Sequence, residues 1–90
     1  MTKTITVKYT AKFLRLFKKL DRLLQDRVAE RIQLFRDESN HKNLKVHKLK
    51  GVLCDSYSFS VTQKHRIVFE YGESKQEVIL LVVGDHDVYQ

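Results

Sequence analysis

Residues 78–90 read V-I-L-L-V-V-G-D-H-D-V-Y-Q. Six apolar residues run unbroken from Val78 to Val83, four of them β-branched. That pattern predicts a strand buried on both faces and central in its sheet, with the other elements packed around it. The run breaks at Gly84 and delivers Asp85, His86, Asp87 and Tyr89 within one short polar tail. An acid, a base and an aromatic ring at the end of a rigid strand are the ingredients of a small active site. A solvated C-terminal end would account for the same residues, so the weight falls on what the rest of the chain adds.

Working back from that strand, residues 72–76 (G-E-S-K-Q) form a polar turn, and residues 65–71 alternate Ile67, Phe69 and Tyr71 with Arg66, Val68 and Glu70. Before it, Tyr57, Phe59 and Val61 alternate with serines and Thr62, the clearest strand pattern in the chain. Connections this short predict antiparallel hairpins. Residues 44–50 alternate imperfectly and predict a short strand or extended segment ending at Gly51. Residues 37–43 (D-E-S-N-H-K-N) read as a loop, and residues 4–9 as a half-buried strand with Ile5, Val7 and Tyr9 on one face. Between them lie two amphipathic helices. Thr10 caps the first, with Phe13, Leu14, Phe17 and Leu20 on one side; Asp21 caps the second, with Leu24, Val28, Ile32 and Phe35 as its stripe to about Arg36. The predicted architecture is α+β: an N-terminal strand, a helical hairpin on one face, then a mainly antiparallel sheet of three to four strands, in one domain spanning residues 1–90.

Ninety residues suffice for one core without staples. No stretch approaches the roughly 20 apolar residues of a membrane span, the N-terminus has no apolar signal region, and the single Cys54 leaves no disulfide framework. A compact cytoplasmic domain is expected. The net charge of +6 is uneven: residues 1–50 carry 14 Lys/Arg against 5 Asp/Glu (+9), and residues 51–90 carry 3 against 6 (−3). A field of this sign, at a sequence pI of about 9.6, fits a polyanion such as nucleic acid, and an acidic protein would satisfy it too.

Three polar clusters bear chemistry: Lys45, His47, Lys48 and Lys50 ahead of Gly51; Lys64, His65 and Arg66 at a strand start; and the C-terminal tail. Cleaving RNA by attack of its own 2′-OH needs a base for that proton, an acid for the 5′-leaving oxygen and cations for the phosphorane. Histidine serves either proton role, arginine matches phosphate bidentately, and aromatic rings stack on unpaired bases. His47, Arg66, His86 and Tyr89 cover these functions without a metal or cofactor, and no H-x-x-x-H or cysteine pair argues for zinc. The same residues also have plainer uses: His47 facing solvent, Arg66 paired with Glu70, His65 in a turn, Tyr89 capping the core.

The segments V-H-K-L-K-G, Y-S-F-S-V-x-x-K-H-R-I-V-F-E-Y and V-I-L-L-V-V-G-D-H-D-V-Y, behind a helical hairpin jointed at K-K-L-D, resemble the RelE/ParE toxin superfamily, and within it the RelE/YafQ-like mRNA interferase branch. The resemblance implies the toxin of a type II toxin–antitoxin pair, a ribosome-dependent endoribonuclease held inactive by a cognate acidic antitoxin, with mRNA and ribosome as its targets. It also implies roles for residues. Arg66 is similar to the phosphate-contacting arginine of the family's Y/H-R-[IL]-[VI]-[FY] strand, and His47 and His86 resemble two histidines of the YafQ-like branch. Tyr89 matches the aromatic that stacks on or orients the substrate, while Lys45, Lys48, Lys50, Lys64 and His65 are candidates for the RNA backbone. Base and acid stay unassigned between the histidines. The central-strand lysines of RelE have no counterpart, serines standing there instead, and the glutamate base of another branch is absent. Two alternatives share the fold: a ParE-like inhibitor of DNA gyrase without nuclease chemistry, against which two histidines speak, and an inactive relative acting only as a protein partner.

Overall fold

The computed structural model describes residues 4–49 and 56–85. Strand β1 (Thr6–Tyr9) leads into helix α1 (Ala11–Lys18) and helix α2 (Arg22–Phe35), and a 3-10 turn (Glu38–Asn40) follows. Then come β2 (His47–Lys48), β3 (Tyr57–Ser60), β4 (Arg66–Tyr71) and β5 (Glu77–Gly84). The five strands form one sheet in the order β1-β5-β4-β3-β2. All neighbouring pairs are antiparallel except β1 with β5, which run parallel. This is the expected α+β arrangement. Among the described residues no helix is long and apolar enough to cross a membrane.

Both helix starts follow from their caps. Thr10 Oγ accepts from the Phe13 amide at 3.1 Å and donates to the Leu80 carbonyl at 2.9 Å, so one hydroxyl caps α1 and ties it to β5. Asp21 accepts from the Leu24 amide at 2.8 Å. At the other end of α2, the Ile5 amide donates to the Arg36 carbonyl (2.9 Å) and Arg36 Nε donates to the Ile5 carbonyl (3.3 Å). The helix is thereby docked against the entry to β1.

The core lies between the helices and one face of the sheet. Phe13, Val28, Ile32 and Phe35 from the helices meet Phe59, Ile67, Phe69, Val78, Leu80 and Val83 from the strands. Phe35 is its hub: fully buried, its ring stacks on Phe59 at 4.3 Å and meets Phe69 edge-on at 4.9 Å. His41 stacks on the other side of Phe35 at 4.5 Å, and its Nε2–H donates to the Phe35 carbonyl.

Two strand expectations change. The apolar run of β5 is interior but is not buried on both faces: Val78 and Leu80 are buried, whereas Ile79 and Leu81 are only half-buried. The run also carries a bulge. Val68 pairs with Val82, yet Phe69 pairs with Leu80, which leaves Leu81 without an opposite residue. Two residues facing one reset the alternation, so Val83 rather than Val82 joins the core. The extended segment expected from residue 44 contracts to His47–Lys48. Leu44 is buried as part of the preceding turn, and Lys45 takes a left-handed backbone (φ 58°) that keeps it out of the strand.

Candidate nucleic-acid interface

The sheet face opposite the helices carries the candidate site. Because paired residues share a face, the register His47↔Ser58↔Val68↔Val82 is one cross-strand row, and Ser60↔Arg66↔Gly84 is a second row two residues further along. His47 and Arg66 therefore stand on the same face, two strands apart. Ideal strand spacings separate their backbones by about 12 Å.

His47 is exposed on the edge strand. Its Nδ1 lies 2.9 Å from the Lys45 carbonyl. A carbonyl can only accept, so Nδ1 carries the proton, and in the neutral ring the lone pair lies on Nε2, which has no hydrogen bond among the described residues. The left-handed turn at Lys45 supplies that carbonyl. Opposite His47, Ser58 is fully buried and its hydroxyl has no hydrogen-bond partner among the described residues.

Arg66 opens β4 beside the turn formed by residues 61–65, which is built on Thr62. The Thr62 hydroxyl accepts from the Lys64 and His65 amides (3.2 and 3.0 Å) and is paired with His65 Nδ1 at 2.9 Å. One ring nitrogen of His65 is thus engaged in holding the turn, while Lys64 is exposed at its tip. A cleft of about 320 Å³ lies against the turn, lined by Arg31, Lys45 and Arg66 with Asn43, Ser60, Thr62 and Gln63, and among the described residues no carboxylate is in its walls. Arg66 Nη1 and Arg31 Nε are both buried without a hydrogen-bond partner among the described residues. The ion pairs among the described residues, Lys8–Glu77 and Arg22–Asp26, include neither arginine, so Arg66 is not spent on Glu70.

Lys45 and Arg66 thus line one cleft, and His47 stands on the same sheet face as Arg66. Lys48 is parted from them: it pairs with Tyr57, on the helix-facing side of the sheet. Lys50, His86 and Tyr89 lie outside the described residues, and Asp85 follows directly on Gly84, the register partner of Arg66. Arg31 was not singled out from the sequence. Its signal was positional: three residues after Val28 and four before Phe35, it borders the buried stripe of α2, whereas Arg22 and Arg27 are exposed. Among the described residues no group of three or more His, Cys, Asp or Glu could hold a metal ion.

Neither a protein-family model nor a curated protein matches the sequence. Solved structures do match the fold. The arrangement of five strands over a helical pair is that of the RelE-type toxins of toxin–antitoxin systems. A chain of the toxin–antitoxin complex RelBE2 from Mycobacterium tuberculosis aligns with a TM-score of 0.74 at 20% identity, over 92% of each chain. The archaeal RelE–RelB complex from Pyrococcus horikoshii gives a TM-score of 0.71 at 18% identity, over 91% of this chain and 94% of its own. A YafQ mutant from E. coli gives 0.69 at 11% identity, over 93% and 96%. At these identities the likeness is one of fold.

Proposed function

We propose that this protein is the toxin of a type II toxin–antitoxin pair and that it cleaves mRNA on the ribosome without a metal. The observation that carries the reading is the sharing of one sheet face by His47 and Arg66, the first with Nε2 and the second with a guanidinium nitrogen unpartnered among the described residues. In this reading His47 takes the 2′-OH proton. The 2′-oxygen then attacks phosphorus, the P–O5′ bond breaks, and the products are a 2′,3′-cyclic phosphate and a 5′-hydroxyl. Arg66 holds the non-bridging oxygens as charge builds on them. His86 protonates the leaving oxygen and Tyr89 orients the base, two roles carried over from the family resemblance. Lys45 neutralises backbone phosphate at the mouth of the cleft, and Lys64 and His65 extend that basic surface along the turn.

The partner that silences it is a small acidic antitoxin. An open groove of about 580 Å³ between β1, α1 and α2 is lined by Val7, Tyr9, Phe13, Leu14 and Phe17. Tyr9 and Leu14 are 48% and 45% exposed, and exposed Lys12, Arg15 and Lys18 on α1 add a positive field suited to an acidic amphipathic segment. The similar structures include chains from RelBE2 and RelE–RelB complexes, in keeping with such a partnership.

The test is induced expression of wild type, His47→Ala and His86→Ala, with primer extension on a translated reporter mRNA. Wild type should cut within the reading frame only while translation proceeds. His47→Ala should slow cutting by about 10²–10⁴-fold, the usual worth of a positioned proton acceptor. Growth arrest without mRNA cuts would remove the nuclease reading.

A further inference from the structure

We infer that Arg31 of α2 is a substrate-binding residue, forming with Arg66 a two-arginine clamp on one phosphate of a nucleic-acid backbone. The inference deepens the nuclease reading, on which its choice of ligand rests.

Two half-buried arginines line one cleft, each with a buried guanidinium nitrogen that has no acceptor among the described residues. Leaving a charged donor desolvated and unpaired is costly. Arginine cannot escape that cost by losing its proton. Bringing a second guanidinium and Lys45 to the same walls adds like-charge repulsion. Among the described residues no carboxylate lines the cleft to offset any of it. An anion with several acceptor oxygens relieves the repulsion and pairs donors that face the cleft, since each fork offers paired donors to phosphate geometry. The hydroxyls of Ser60 and Thr62 and the amides of Asn43 and Gln63 in the walls suit the sugar and base edges on either side. At about 320 Å³ the cleft has the capacity of a small-ligand site, at the low end of the usual range of about 300–1,000 Å³.

The arrangement also explains why the two arginines come from different layers. Arg66 sits at the start of a strand whose register partner is the end of β5, and Arg31 is held beside the apolar stripe that docks α2 on the sheet. Both elements pack on a common core, so the backbones that carry the two arginines are held in place. Such preorganisation is what a site needs for holding a phosphate in line.

The arginine Nε–H groups of the isotopically labelled full chain report directly on the clamp. They should be followed by NMR during titration with inorganic phosphate and, separately, with a short RNA made uncleavable by 2′-deoxy substitution. The Nε–H signals of both Arg31 and Arg66 should shift and saturate together with the oligonucleotide, and more weakly with phosphate. Arg31→Gln should weaken oligonucleotide binding by about ten-fold or more and lower the salt slope by about one. Arg31→Lys should recover the slope but not the affinity, because a point charge lacks the fork. An Arg31 signal unmoved by either probe, or Arg31→Gln binding like wild type, would overturn the clamp. Shifts with phosphate that the oligonucleotide fails to produce would overturn the nucleic-acid assignment and mark a free-anion site. Should both arginines engage the oligonucleotide while wild type leaves translated mRNA intact, the clamp stands and the nuclease reading falls.

Discussion

Ser58 shows how a single residue on this sheet trades stability for the character of a face. It is completely buried beside His47, yet its hydroxyl makes no hydrogen bond among the described residues. Removing a buried hydroxyl that has no partner costs no bond and ends its desolvation penalty. Ser58→Ala is therefore expected to melt at the wild-type temperature or above it, as read by thermal unfolding, and a clear loss of stability would mean that the hydroxyl is bonded in solution. Asp37 behaves in the opposite sense. Its carboxylate accepts from the Ser39 hydroxyl at 2.8 Å and the Ser39 amide at 3.0 Å, which lowers its pKa below the ordinary value. A depressed carboxyl pKa contributes stability that is fully present above the ordinary carboxylate pKa and is lost as pH falls through the folded value. Asp37→Asn should lower stability in the neutral region and flatten that acid limb, so that variant and wild type converge in denaturation curves taken at acidic pH.

Helix α1 is short, running only from Ala11 to Lys18. Eight residues do not sustain a helix in water on their own propensity. Its persistence rests on Phe13 in the core and on Thr10, whose hydroxyl serves the Phe13 amide and the Leu80 carbonyl at once. Thr10→Ala removes both bonds and is expected to destabilise the protein by about 1–2 kcal/mol, measurable by urea unfolding. Thr10→Ser keeps the hydroxyl and should recover most of that loss. Strand β5 shows a second kind of coupling within an element. The bulge at Leu81 lets one apolar run feed both faces, with Leu80 and Val83 in the core and Val82 paired with Val68 on the other side. Beyond the bulge the strand ends with Gly84 opposite Arg66, which brings the chain to the candidate site.

For the whole molecule, the cohesion of the helical and sheet layers concentrates on Phe35. Its ring contacts Phe59, Phe69 and His41, and it is fully buried. Phe35→Ala opens a cavity where the two layers meet and should cost about 3–5 kcal/mol, a large share of the 5–15 kcal/mol typical of a small domain. Equilibrium unfolding would register the loss, and a drop below about 1 kcal/mol would show that the layers close over the gap. The division of labour follows from the same geometry. One sheet face packs its apolar residues against the helices, and His47 and Arg66 stand on the other face and at its end near residues 61–65.

Much of this was legible in the residues themselves. The caps Thr10 and Asp21, the stripe Val28–Ile32–Phe35 and the alternation at Tyr57–Phe59 and Ile67–Phe69 are local signals, set by the periods of helix and strand, and the structure realises each of them. The division of His47 from Lys48 was also implicit, since neighbouring residues of a strand point to opposite faces. What the tertiary structure decided was long-range. The bulge at Leu81 depends on register with β4, the parallel pairing of β1 depends on where β5 ends up, and the left-handed turn at Lys45 depends on burial of Leu44. Above all, Arg31 and Arg66 are distant in the chain and carry no shared motif. They meet in one cleft because the stripe of α2 and the pleat of β4 each pack against a common core, a juxtaposition that exists only once both layers have closed.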